Sequence, residues 1–106
     1  MQNSVEFSEN ERVLTASLQG EIDHHLAKAQ REAIDTMLFM KKPELLVLDF
    51  SAVRFMDSSG IALIIGRADI ADGLNSKIQV KGLSKTLKKL VKLSGVEKLK
   101  NLTIED

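Results

Sequence analysis

Cysteine is absent from the chain, proline occurs once, and neither tryptophan nor tyrosine is present. Without cysteine there can be no disulfide framework, zinc–thiolate site or thiol catalysis, which suits a reducing compartment. No stretch of the sequence approaches the ~20 consecutive apolar residues that a membrane-spanning helix needs. The first four residues, Met1 to Ser4, lack the basic and apolar segments of a signal peptide. We therefore expect a cytoplasmic protein that does not associate with a membrane.

The net charge is zero, but the charges are distributed unevenly. Residues 73–100 hold eight lysines and one acid, whereas residues 1–53 carry nine acids and five bases. Four of the lysines recur at helical spacing opposite an apolar face: Lys85, Lys88, Lys89 and Lys92. Arginine is scarce, and the aromatic residues that stack on bases are few, so the usual base-reading groups are missing. We interpret these lysines as a solvated helix face and expect no direct binding of nucleic acid.

The length of 106 residues allows one hydrophobic core, which predicts a single domain over residues 1–106. Periodicity predicts strands at residues 4–7, 12–18, 45–50 and 77–81, and helices at residues 24–42, 58–72 and 84–93. Residues 102–104 could add an edge strand or fray. The resulting ββαβαβα order predicts an α/β fold with a small mixed sheet of about four or five strands and about three or four helices packed against it.

Local signals predict where the helices begin and end. Asp23 and Ser84 are N-cap residues, Pro43 ends the first helix, and Gly73 and Gly95 end the other two. The run Gly20-Glu21-Ile22-Asp23 is predicted to break the second strand. For the first helix we expect an inner face made of these residues: Leu26, Ala29, Ala33, Ile34 and Met37.

The most informative segment is residues 45–60. A nearly unbroken apolar run, residues 45–50, is typical of a strand buried on both faces. A turn then presents Asp57-Ser58-Ser59-Gly60 at the start of the second helix. Carboxylate and hydroxyl oxygens accept from backbone N–H groups that have no partner within the helix, so a plain N-cap explains part of this motif. A cap needs only one such group, however, and the surplus at the carboxyl edge of a sheet indicates a functional site.

The second helix carries apolar residues on two faces. One face, predicted to be the core side, consists of Ile61, Ile64, Ile65 and Ala68. Leu63, Gly66 and Ile70 lie almost opposite, where a surface helix is usually polar. Two interpretations remain open: neighbouring helices cover this stripe, or it forms part of a docking surface that includes Leu63.

Most signatures of an enzyme are missing. The sequence has no phosphate-binding loop, no G-x-G-x-x-G after a strand and no G-x-S-x-G motif. His24 and His25 point about 100° apart on a helix, which disfavours a shared metal site. A histidine acting as a general base on Ser58 remains an alternative, although no third orienting residue is evident. We expect no catalytic activity, no metal and no cofactor.

Several stretches resemble the anti-sigma factor antagonists, which are bacterial proteins built from a STAS domain. The matching segments are Gly20-Glu21-Ile22-Asp23-His24-His25, Val47-Leu48-Asp49-Phe50, Phe55-Met56-Asp57-Ser58-Ser59-Gly60-Ile61 and Leu93-Ser94-Gly95-Val96. The resemblance implies that the unphosphorylated chain binds an anti-sigma factor, which is also an ATP-dependent serine kinase, and displaces the sigma factor. Phosphorylation by that kinase releases the antagonist, and a metal-dependent serine phosphatase resets it.

Transferred to this chain, the resemblance makes Ser58 the phosphoacceptor, with Asp57, Ser59 and Gly60 shaping the turn that faces the kinase. It also implies that Asp23 and His24 lie beside this turn and contact the partner. The tail departs from sporulation-type members because it stops soon after the last helix. A STAS module with an output other than sigma control is the alternative within the family. A small serine-dependent hydrolase or a nucleotide-binding protein is the alternative from another class.

Overall fold

Five strands form one mixed sheet in which strand order follows chain order. The computed structural model describes residues 4–105. The strands are β1 (Val5–Asn10), β2 (Val13–Ile22), β3 (Leu45–Met56), β4 (Lys77–Lys81) and β5 (Leu102–Ile104). The helices are α1 (His24–Lys41), α2 (Ser58–Gly73) and α3 (Lys85–Ser94), and a short 3₁₀ turn spans Val96–Lys98. Only β1 and β2 pair antiparallel, while β2 to β5 are parallel. This confirms the predicted α/β fold, with β5 as the additional edge strand.

The core lies between the sheet and the helices. Alternate residues of the central strands are almost completely buried: Leu14, Ala16, Leu18, Leu46, Leu48, Phe50, Ile78 and Val80. Each helix contributes buried aliphatic side chains to the same cluster, for example Ile34 of α1, Ile64 of α2 and Val91 of α3. Because side chains alternate between the two faces of a strand, one sheet face holds this whole set.

Strands β2 and β3 are both longer than predicted. β2 continues through Gly20 to Ile22, and β3 continues six residues past Phe50, so the predicted break and the predicted turn are both wrong. Register shifts between β2 and β3 interrupt the alternation, and Gly20 adopts a φ of +94° there. Pairing between β2 and β3 supplies hydrogen-bond partners for the backbone of both segments, although their local sequences predict a break and a turn. β3 pairs with β4 only as far as Asp49, so β2 and β3 project beyond the rest of the sheet.

The buried face of α1 differs from the prediction. It consists of Ala27, Gln30, Ile34 and Leu38, which confirms Ile34, whereas Ala29 is exposed and the other predicted residues are only half-buried. The reason is Gln30, which is fully buried although it is polar. Its side-chain amide donates to the carbonyl oxygens of Ser4 and Gln19, each at 3.2 Å, and so fastens α1 to β1 and β2.

The buried face of α2 also differs, and it corrects the role predicted for Leu63. Leu63 is 2% exposed, so it cannot belong to a docking surface, whereas Ile65 is 44% exposed instead of lying in the core. Arg67 follows Leu63 by one helical turn and pairs with Asp35 of α1, with Nε and Oδ1 2.8 Å apart. Because residues four apart share a helix face, α1 covers Leu63, whereas Gly66 and Ile70 of the same predicted stripe are only half-buried.

The predicted helix ends are confirmed, whereas β1 continues to Asn10, three residues past its predicted end. Asp23 caps α1, α1 ends at Lys41 before Pro43, and α2 ends at Gly73. The Ser84 hydroxyl accepts from the Leu87 N–H at 3.2 Å, and Gly95 has a φ of +83° at the end of α3. Within residues 4–105, no helix is both long and apolar enough to cross a membrane.

Candidate functional site

The ends of β2 and β3 bring two helix N-termini together. Ile22 and Met56, the last residues of these strands, are register partners, and the Asp57 N–H donates to the Ile22 carbonyl at 3.2 Å. Asp23 and Asp57 each follow directly and act as the N-caps of α1 and α2. The prediction that Asp23 lies beside the Asp57-Ser58 turn is therefore confirmed at the level of the backbone.

Asp23 and Asp57 cap the N-termini of their helices through slightly different hydrogen bonds. Asp23 Oδ1 accepts from the Leu26 N–H at 2.9 Å, and this backbone donor lowers the pKa of Asp23 below its ordinary value. Asp57 Oδ1 accepts from the Ser59 N–H at 2.8 Å, and the Asp57 carbonyl accepts from the Gly60 N–H at 3.0 Å. Asp57 therefore supplies the cap of α2 without using the side chain of Ser58.

The two hydroxyls of the turn differ in exposure, which the sequence alone does not reveal. Ser58 is exposed and Ser59 is half-buried. Among residues 4–105 the Ser58 hydroxyl has no hydrogen-bond partner, because Asp57 performs the capping. Ser58 is therefore the hydroxyl that a second protein can reach in the first turn of α2.

Gly60 allows α2 to begin close to the end of β3. Gly60 is buried, and a Cβ built on it would lie 2.9 Å from Met56 Cγ, 3.0 Å from Met56 Cβ and closer still to Met56 Sδ. Carbon atoms normally approach no closer than van der Waals distance, so any larger residue would displace the first turn of α2 or Met56. Gly60 thus fixes where the Ser58 side chain leaves the helix.

The histidines at the start of α1 are exposed and contact each other. The rings of His24 and His25 have centroids 5.8 Å apart and an interplanar angle of 69°. Neither ring hydrogen-bonds to Ser58, and no group of three His, Cys, Asp or Glu side chains suited to a metal ion occurs, in the described part of the chain. The structure therefore does not show the paired serine and histidine on which the hydrolase alternative depends.

An apolar groove of about 740 Å³ opens beside Ser58, between the end of β3, α2 and α3. Its exposed side chains are large, with Phe55 at 54%, Ile65 at 44% and Leu93 at 80% exposure. The sequence interpretation missed this surface because it assigned Ile65 to the core. The available signal was Phe55, a large aromatic residue two positions before Asp57. Exposed apolar surface of this kind is typical of protein-binding sites.

Comparisons with known proteins agree with this architecture. The STAS domain family model matches residues 4–105. The chain is 29% identical over 99 residues to the anti-sigma F factor antagonist of Paenibacillus polymyxa, covering 93% of this chain and 85% of that one. The solved structure of the anti-sigma factor antagonist SpoIIAA in its unphosphorylated form matches with a TM-score of 0.80 and 25% identity, covering 96% of this chain and 88% of that one. SpoIIAA from Bacillus in its phosphorylated form has the same fold, with a TM-score of 0.72 and 24% identity over 96% of this chain and 91% of that one. The chain belongs to the STAS domain family.

Proposed function

We propose that this protein is an anti-sigma factor antagonist controlled by phosphorylation of Ser58. The observation that carries the proposal is the exposed and unpaired Ser58 hydroxyl, which lies at the rim of an apolar groove. The relatives named above support the general role, since they are antagonists of this class. In the unphosphorylated state the chain binds an anti-sigma factor and thereby frees the sigma factor.

The groove and the two capped turns form the proposed contact surface. Phe55 and Leu93 bury apolar area against the partner, while Asp23, His24 and the Asp57–Gly60 turn surround it with polar groups. This combination of a central apolar patch and a polar rim is typical of protein interfaces. Leu63 has no part in this surface because it lies in the core.

The anti-sigma factor is proposed to be an ATP-dependent serine kinase that modifies the residue it contacts. The Ser58 oxygen attacks the γ-phosphorus of ATP, the bond from that phosphorus to the bridging oxygen breaks, and ADP leaves. The hydroxyl proton passes to a base of the kinase. The antagonist supplies only a positioned acceptor and performs no catalysis, and a metal-dependent serine phosphatase restores the hydroxyl. We place this cycle in the cytoplasm, where ATP is available.

Phosphorylation weakens the complex because it introduces charge at a buried contact. A phosphoserine carries about −1.5 to −2 charges at neutral pH. A partner surface that accommodates a neutral hydroxyl leaves this charge without compensation, at a cost of several kcal/mol. Because ~1.4 kcal/mol corresponds to a factor of ten, we expect the affinity to fall by about two orders of magnitude.

The direct test is phosphorylation by an anti-sigma factor kinase from the same genome, followed by peptide mass mapping. We expect one phosphate on Ser58, none on the Ser58→Ala variant, and a normal yield on the matched Ser59→Ala variant. Addition of the sigma factor to the kinase complex should show displacement by the unphosphorylated antagonist alone. Phosphate on Ser59, or binding without displacement of a sigma factor, would contradict the proposal and favour a different output for the module.

A further inference from the structure

The outward face of α3 carries a concentration of positive charge. The helix contains four lysines and no acidic residue, and its first turn has no carboxylate. Lys85, Lys89 and Lys92 are exposed, and their side chains make no ion pair with any residue between 4 and 105.

The lysines in the first half of α3 oppose the intrinsic electrostatics of the helix. Lys85 is the first residue of α3, where the helix dipole presents its positive end and favours carboxylates. Lysines at i and i+4, such as Lys85 and Lys89, also repel each other. Lys92 lies in the last turn, where the dipole favours a cation, but Lys85 and its repulsion with Lys89 do not stabilise α3, so a binding role explains these two lysines better than a structural one.

An exposed apolar side chain lies among these lysines. Leu93 is 80% exposed and closes one end of a shallow concavity of about 410 Å³, formed by the lysines of α3. The apolar residues that hold α3 to the core are others, namely Leu87 at 3% exposure and Val91 at 0%. Leu93 is therefore not needed to attach the helix, and it offers an apolar anchor within a basic surface.

The side chains on the outward surface of α3 favour one class of partner over the others. A lipid bilayer would take up the apolar side of an amphipathic helix, but Leu87 and Val91 already face the core. Bases of nucleic acid are read or stacked mainly by arginine and aromatic side chains, and α3 contains neither, so its lysines could contact only the phosphates. An acidic protein segment matches both the lysines and the single aliphatic contact. Electrostatic complementarity of this kind steers association and fixes the register of a complex.

We propose that the α3 face, defined here by Lys85, Lys89, Lys92 and Leu93, binds an acidic segment of a partner protein that places an aliphatic side chain on Leu93. The surface does not include the Ser58 hydroxyl and does not require its phosphorylation, but it adjoins the Ser58 groove, because Leu93 lines both. It gives the domain a second contact that selects partners by charge.

The probe is a short synthetic peptide of alternating Glu and Leu, with a matched peptide of alternating Gln and Leu. Titration of the ¹⁵N-labelled full chain should shift the amide signals of α3 with the Glu peptide and leave them unchanged with the Gln peptide. A Lys85→Gln/Lys89→Gln/Lys92→Gln variant should bind the Glu peptide about tenfold more weakly, since three exposed ion pairs each contribute a small factor.

A second triple variant removes the same charge elsewhere: Lys28→Gln/Lys77→Gln/Lys98→Gln. It should bind the Glu peptide as the parent does, and Ser58→Ala should also bind normally, which separates this surface from the proposed phosphorylation site. Leu93→Ser should weaken binding while the thermal midpoint stays unchanged.

Equal losses in the two triple variants would overturn the proposal, because they would indicate a response to net charge alone. Stronger binding to phosphatidylserine vesicles or to duplex DNA than to the Glu peptide would assign the face to a different class of partner. Salt-sensitive self-association of the chain in sedimentation, lost in the α3 triple variant, would identify a second copy as the occupant and equally overturn the proposal.

Discussion

Two of the three glycines of α2, Gly60 and Gly66, provide a matched test of how Ser58 is positioned. A Cβ at Gly60 would meet Met56 Cβ at 3.0 Å and Met56 Cγ at 2.9 Å, whereas a Cβ at Gly66 would have no neighbour within 4 Å. Both residues lie in the same helix, so each alanine substitution lowers the entropy of the unfolded chain in the same way. Only the variant at Gly60 must displace the first turn of α2 or the Met56 side chain.

The expected magnitudes follow from these contacts. Gly66→Ala should stabilise the protein by about 0.5–1 kcal/mol, the usual gain from replacing glycine within a helix. At Gly60 the same gain is opposed by overpacking, which typically costs about 1–3 kcal/mol. Gly60→Ala should therefore be less stable than Gly66→Ala by about 1–3 kcal/mol, or roughly 4–20 °C in thermal midpoint for a domain of this size.

Thermal and denaturant unfolding of both variants measure this difference, and the initial rate of Ser58 phosphorylation reports on the site. We expect the rate to fall for Gly60→Ala and to stay at the parental value for Gly66→Ala, because only the first moves the Ser58 side chain. Equal thermal midpoints for the two variants would refute the packing argument. A destabilised Gly60→Ala variant with the parental phosphorylation rate would show that Gly60 affects stability but not the position of Ser58.

Three further predictions concern charge. Ser58→Asp should reproduce part of the loss of affinity for the anti-sigma factor that we expect from phosphorylation. Binding calorimetry measures this loss, and Ser58→Ala is the control that should still bind. Asp23→Asn should leave the thermal midpoint at pH 7 nearly unchanged, because asparagine caps as well as aspartate, yet it should weaken the complex. Since the pKa of Asp23 is lowered in the folded state, the parent should lose stability relative to this variant as the pH falls through that pKa. Parallel acid unfolding curves for the two proteins would contradict the assignment. Burial raises the pKa of Asp35 despite the nearby Arg67 guanidinium, so the contribution of Asp35 to stability should decrease as the pH rises from its unfolded-state pKa to its folded-state pKa. Arg67→Met should raise the pKa of Asp35 further, as measured by NMR titration, and should destabilise the fold by about 1–3 kcal/mol. The double variant Asp35→Leu/Arg67→Met should recover most of that loss of stability.

The ends of the helices could be predicted because they depend on single residues acting locally. Asp23, Ser84 and Gly95 stand where the chemistry of a cap requires them, and the structure confirms all three. Their signals need no knowledge of the rest of the chain, since each involves backbone groups within the same turn. The start of α2 at Asp57 and Ser58 was predictable for the same reason, although the turn predicted before it belongs to β3.

The long-range features could not be predicted in the same way. The extension of β3 to Met56 depends on pairing with β2, which lies more than thirty residues earlier in the chain. The burial of Leu63 depends on where α1 packs, and an apolar residue on either side of α2 looks the same in the sequence. Gln30 shifts the inner face of α1 because its partners are carbonyl groups of β1 and β2. In each case a tertiary contact decides between locally equivalent arrangements.

The site is built on regular structure, which favours a switch that acts through charge rather than through unfolding. Ser58 is held by the Asp57 cap, by the close packing of Gly60 on Met56 and by the pairing of β2 with β3. A phosphate on Ser58 meets the positive end of the α2 dipole, which stabilises it by about 0.3–1 kcal/mol, while the adjacent Asp57 carboxylate opposes this gain. The net effect on folding is therefore small, whereas the same charge enclosed by a partner without compensation costs several kcal/mol. Under the proposed function, the difference between these two energies would let phosphorylation of Ser58 dissociate the complex while the released chain stays folded.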